Sequence, residues 1–148
     1  CTLVESTSLI QLYSEQILKF ATEIPHTESL TNSDASIVRR SPVCGSTVNI
    51  SIKMSHGRLS EFSQDVKACA LGQAAASIVG NSIIGCTVNQ VRNARDQLLA
   101  MLTDNGPTPK NPFQALEILK PAKDYKNRHS SIMLTLEALL EAMETTLN

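Results

Sequence analysis

Tryptophan is absent from this chain, and aromatic residues make up only 3% of its 148 residues. Any core must therefore be assembled from Leu, Ile, Val, Ala and Met. The same scarcity argues against single-stranded nucleic acid as a ligand, because such strands are usually held by stacking bases on aromatic side chains. A basic excess is also missing: 13 Lys and Arg stand against 14 Asp and Glu, for a formal charge of −1 and a pI near 6.3. A surface that tracks phosphates usually needs such an excess, so no nucleic-acid partner is expected. No apolar run is long enough to span a bilayer, and no membrane association is expected. The first residues show no basic flank leading into an apolar run and a small-residue cleavage site, so no secretory signal is read and the expected location is cytoplasmic.

Cysteines are few as well. Cys1, Cys44, Cys69 and Cys86 are the whole set, and no two have CxxC spacing. That excludes a disulfide scaffold. Reduced thiols are the expectation, either packed in a core or gathered by the fold as ligands.

What is present fits one domain spanning residues 1–148, with a single core. Ser8 to Ala21 places Leu9, Ile10, Tyr13, Ile17, Phe20 and Ala21 on one helical face, and Pro25 lies beyond its end. The polar stretch His26 to Ser36 reads as a loop. Ile37–Arg40, Thr47–Met54 and Leu59–Lys67 read as three strands of an antiparallel meander. His56-Gly57 forms the tight turn of the second hairpin, and the imperfect alternation of the third strand suggests a bulge. From Cys69 the pattern becomes helical. Ala70 to Ile84 is small and apolar nearly all round, and a second helix opens at Thr87 with a Thr87-x-x-Gln90 capping box. The apolar face of that helix is Val88, Val91, Ala94, Leu98, Met101 and Leu102. Asn105-Gly106-Pro107 ends it, Pro107 to Pro112 is a loop, and a short segment Phe113–Leu119 precedes Pro121. A last helix is expected to begin near Ser130 or Ser131, whose hydroxyls would cap it. Strands first and helices after predict an α+β domain, a small three-stranded antiparallel sheet with helices on one face.

Four positions could carry chemistry. Cys44 sits in Pro42-Val43-Cys44-Gly45-Ser46, between two strands, where Gly45 permits a tight turn. Cys69 stands where the third strand passes into a helix, and the unpaired N–H groups of a helix start favour a thiolate. His129 and Ser130 lie at the head of the last helix. Each has an ordinary structural reading: packed thiols for the cysteines, a surface or capping role for His129 and Ser130. Cys86 is assigned to structure, Cys1 carries little weight, and His56 is expected to be solvated.

The order of these pieces resembles the NifU/IscU/SufU family of iron–sulfur cluster assembly scaffolds. The resemblance rests on Pro42-x-Cys44-Gly45-Ser46-Thr47-Val48 and on the run Lys67-Ala68-Cys69-Ala70-Leu71-Gly72-Gln73-Ala74-Ala75-Ala76-Ser77, and it extends from about Tyr13 to about Ala142. It implies a non-enzymatic scaffold holding a transient [2Fe–2S] cluster, with a cysteine desulfurase, an iron donor and downstream Fe–S acceptor proteins as partners. It also implies ligands: Cys44 and Cys69 match two of the family's three cysteines, and His129 or Ser130 falls at the third. Ser46 replaces the family's aspartate. An imidazole would still serve iron or zinc, whereas a serine hydroxyl is a poor donor to a soft metal. Two thiolates and an imidazole would suit Zn²⁺ with an open fourth position, so a zinc-binding sulfur acceptor for a cysteine desulfurase is the alternative. A diverged member that keeps the fold without the chemistry is a third reading. Leu119-Lys120-Pro121-Ala122-Lys123 is only a loose echo of the family's chaperone-binding motif, and no chaperone is expected.

Overall fold

The structure, a computed structural model, describes residues 15–41 and 45–146. Helix α1 (Glu15–Thr22) is followed by strands β1 (Ala35–Arg40), β2 (Thr47–Ser55) and β3 (Arg58–Lys67). Helices α2 (Ala70–Ser82) and α3 (Val88–Thr103), a 3₁₀ segment (Gln114–Asp124) and helix α4 (Lys126–Thr145) complete the order. The part of the predicted first helix before Glu15 lies outside the described residues.

The sheet is antiparallel in the order β1-β2-β3, as the alternation predicts. At the β2–β3 turn His56 and Gly57 both have positive φ, 53° and 77°. Two left-handed residues give a turn whose twist matches the flanking strands. Lys53 pairs with Glu61 but Met54 pairs with Leu59, so β3 carries one extra residue, Ser60. Its hydroxyl donates to the Lys53 carbonyl at 2.9 Å. This bulge explains the broken alternation of β3: Leu59 and Phe62, three apart, both face inward and are buried.

One face of the sheet is apolar. Val48, Ile50 and Ile52 are fully buried on it, and α4 packs against β1 and β2 there. Burial of each such side chain contributes about 1.5–3 kcal/mol. Val38, on the opposite face, is 71% exposed. The edge strand β1 is tied to α4 by Arg39, whose guanidinium donates to Glu137 at 3.1 Å and Glu141 at 2.9 Å. Gln64, buried on β3, donates to the carbonyls of Pro25 and Ala76 and so joins the end of the α1 loop to α2.

The capping box of α3 forms as predicted, with Gln90 N–H donating to Thr87 Oγ1 and Thr87 N–H donating to Gln90 Oε1. Two expectations need correction. The segment after Phe113 does not stop before Pro121 but runs through it as a 3₁₀ helix. Phe113, Leu116, Leu119 and Ala122 are all buried, and this spacing of three is the period of that helix. The last helix begins at Lys126 rather than at Ser130 or Ser131. Tyr125 stands at its cap without a side-chain bond, so both serines lie inside the helix and cap nothing.

Candidate functional site

Three elements converge where β3 ends. Cys69 is the N-cap residue of α2, in extended backbone with φ −66° and ψ 168°. Its thiol is half-buried and bonds to Ser131 Oγ of α4 at 3.5 Å. Ser131 Oγ in turn shares a 3.1 Å hydrogen bond with Ser46 Oγ, just before β2. Ser131 and Ser46 are themselves buried, at 1% and 5% exposure. Beside them, Ser41 and Ser130 share a 2.6 Å hydrogen bond. The loop between β1 and β2 is closed by backbone bonds, Ser41 N–H to the Ser46 carbonyl and Gly45 N–H to the Ser41 carbonyl. Gly45 has φ +73°, a conformation that favours glycine.

A cavity of about 580 Å³ opens over this junction, lined by Gly45, Ser46, Lys67, Cys69, Gln73 and Arg128 among others. Its described walls carry cations and a thiol but no carboxylate. Burial pushes the Cys69 thiol up. Hydrogen bonds from Ser131, the Gly72 backbone, Arg128 and the Leu71 backbone outweigh that, and hold it below its ordinary value. The lowered pKa makes the Cys69 thiolate, the form that attacks electrophiles and binds metals, easier to form than that of an ordinary thiol. Cys86 is the opposite case: buried, with its thiol pushed up by desolvation, and donating to the Ser82 carbonyl. A cavity of about 630 Å³ lies elsewhere, at His26–Thr31 and Phe62, and holds no thiol.

The expected site residues are distributed as follows. Cys69 and Ser46 meet through Ser131. Cys44 lies outside the described residues, although Gly45 and Ser46, which follow it, line the cavity. His129 points away: its Nε2 bonds the Ala122 carbonyl at 2.9 Å, and its neighbours include Arg39, Ser41 and Met133. Ser130 bonds Ser41 rather than Cys69. Among the described residues, no group of three or more His, Cys, Asp or Glu could hold a metal ion.

Sequence reasoning missed Ser131, the residue of α4 that touches Cys69. The signal was present: Ser131, Thr135, Ala138 and Ala142 form a helical stripe of small residues, all buried. It becomes visible only once the helix is begun at Lys126.

The sequence matches the NifU-like N terminal domain family over residues 12–131. The chain belongs to that family. A NifU-like protein (N-terminal) from Brucella abortus, described as nitrogen-fixing, is 37% identical; the match covers 95% of this chain and 97% of that one, with a TM-score of 0.92. A protein of Fervidobacterium islandicum AW-1, proposed as the iron–sulfur cluster assembly scaffold of the SUF system, shares the fold at 18% identity. That match has a TM-score of 0.81 and covers 89% of this chain and 96% of that one. No curated protein matches this NifU-like chain.

Proposed function

We propose that this NifU-like chain is an iron–sulfur cluster assembly scaffold, a non-catalytic protein that receives sulfur and iron and hands on a labile [2Fe–2S] cluster. The observation that supports it most is the Cys69 thiol, held below its ordinary pKa at the N-terminus of α2, beside Ser46 and Ser131, in a member of this family. The cluster is cargo rather than a resident group. Cys69 supplies one thiolate and Cys44 a second in this reading.

The remaining donors are weak. Ser46 and Ser131 are hydroxyls, which must lose a proton of high pKa to bind a soft metal. His129 lines a different cavity from Cys69, with its Nε2 bonded to the Ala122 carbonyl. The cluster is therefore completed by ligands from outside the chain and is loosely held, which suits transfer. The same donors make a resident Zn²⁺ site incomplete.

Sulfur acceptance without resident zinc is the second reading, favoured by the contact of Arg128 with the thiol. A Cys69 thiolate would take the terminal sulfur of a desulfurase persulfide: the donor's S–S bond breaks, a new S–S bond forms on Cys69, and the donor's thiolate leaves. A cysteine desulfurase, an iron donor and Fe–S acceptor proteins are the partners under the first reading.

Anaerobic reconstitution with iron and sulfide, with elemental analysis, tests the proposal. Sulfur-to-iron charge-transfer bands that vanish in Cys44→Ser and Cys69→Ser support it. Normal bands in both variants would sink it.

A further inference from the structure

We infer that Gly72 is a positioning residue for the Cys69 site, acting through Ser131. Gly72 lies one turn into α2, where that helix meets α4. A methyl group built on it would collide with the Ser131 hydroxyl, lie 3.1 Å from the Ser131 carbonyl oxygen and 2.9 Å from Ala68 Cβ. The hydroxyl would have to rotate away, Ala68 would have to shift, and the Ser131 backbone would have to give by a few tenths of an ångström. A side chain at position 72 therefore displaces the Ser131 hydroxyl or shifts the first turns of α4 relative to the start of α2.

Those turns carry the groups that reach the thiol. Ser131 Oγ touches both Cys69 Sγ and Ser46 Oγ, and Arg128 sits one helical turn before it on the same side. Gly72 also offers its own N–H to the thiol. The missing side chain thus sets how far the hydroxyl and guanidinium of α4 stand from Cys69. Its relevance to cluster assembly rests on the function proposed above, whereas the geometric claim does not.

The control is built into the same helix. A methyl group on Gly80 of α2 would lie 2.8 Å from Gln64 Nε2 and 2.9 Å from Pro25 Cγ, also closer than real side chains sit but against neighbours other than Ser131. Any general loosening of α2 would follow from either substitution.

The experiment introduces a thiol by Ser131→Cys in the full chain and follows its disulfide with Cys69. Oxidised glutathione serves as oxidant and is reduced to two thiols as the protein loses two hydrogens. Mass spectrometry of peptides identifies the bond. In this background, Gly72→Ala is expected to slow bond formation about tenfold or more, the scale of effect that small misplacement produces. Gly80→Ala leaves the rate unchanged. Equal slowing by both, or by neither, would overturn the inference.

Where Gly72→Ala folds too weakly for that assay, its thermal melt compared with that of Gly72→Ala combined with Ser131→Gly decides. Deleting the struck hydroxyl restores part of the lost melting temperature, and no restoration counts against the inference. Neither readout involves metal. A chain that binds no iron would therefore sink the scaffold reading and leave the role of Gly72 standing.

Discussion

Ser46 and Ser131, 85 residues apart in the chain, share a buried 3.1 Å hydrogen bond, and the thiol of Cys69 closes on the same Ser131 oxygen at 3.5 Å. Two hydroxyls thus occupy the space around one activated thiol. Each of them can be exchanged for a stronger metal donor with little change in volume.

Ser131→Cys is expected to raise the affinity for Zn²⁺ or iron, because a thiolate is a far better soft-metal ligand than a hydroxyl. The gain should exceed the roughly 10–100-fold changes produced by altering groups one step further from a metal. Competition with a chromogenic chelator measures it. An unchanged affinity would separate Ser131 from the metal-binding position.

Cys69 should react with iodoacetamide at lower pH than an ordinary thiol. Ser131→Ala, which removes the first of the hydrogen bonds that lower its pKa, moves the midpoint up. The stability linkage has a definite sign. A folded pKa below the unfolded value means that, between the two, the unfolded chain binds more protons, so stability rises with pH across that window. The contribution is fully present above the unfolded pKa and is lost as pH falls through the folded one. Denaturant titrations of the native chain and Cys69→Ser across the same pH range check this.

His129→Ala should leave the reactivity of Cys69 unchanged while removing the bond to the Ala122 carbonyl. A buried or half-buried bond of this kind is worth about 0.5–1.5 kcal/mol. A parallel loss of thiol reactivity and stability would instead return His129 to the site.

Much of this was legible beforehand. The meander, the Thr87–Gln90 capping box and the buried faces of β2 and α3 follow from alternation and capping chemistry that act locally. The start of α4 was not legible. Arg128-His129-Ser130-Ser131 looks like a capping sequence, but the helix begins earlier, at Lys126, directly after a 3₁₀ segment whose Leu116, Leu119 and Ala122 are buried. The family resemblance makes His129 and Ser130 the expected ligands, and a helix start set four or five residues too late gives Ser131 only a capping role. Pro121 misled in the same way, since it is a breaker of α-helices yet sits inside a 3₁₀ helix.

Arg39→Ala should cost only about 0.2–1 kcal/mol for each of its two ion pairs, since both are substantially exposed. Ile50→Ala, at a fully buried position of β2, should cost about 2–5 kcal/mol. Chemical denaturation ranks them. A larger effect at Arg39 would mean that the hold on the edge strand, rather than the core, dominates stability.

The thiol is activated by a residue made late. Cys69 leaves the ribosome 62 residues before Ser131, and with only its own segment folded it has neither the hydroxyl nor the guanidinium that lower its pKa. Those two contributions arrive only when α4 docks, whereas the N–H groups of Leu71 and Gly72 are local to Cys69. A chain that stops short of α4 carries the cysteine without the Ser131 and Arg128 contacts that ease its deprotonation.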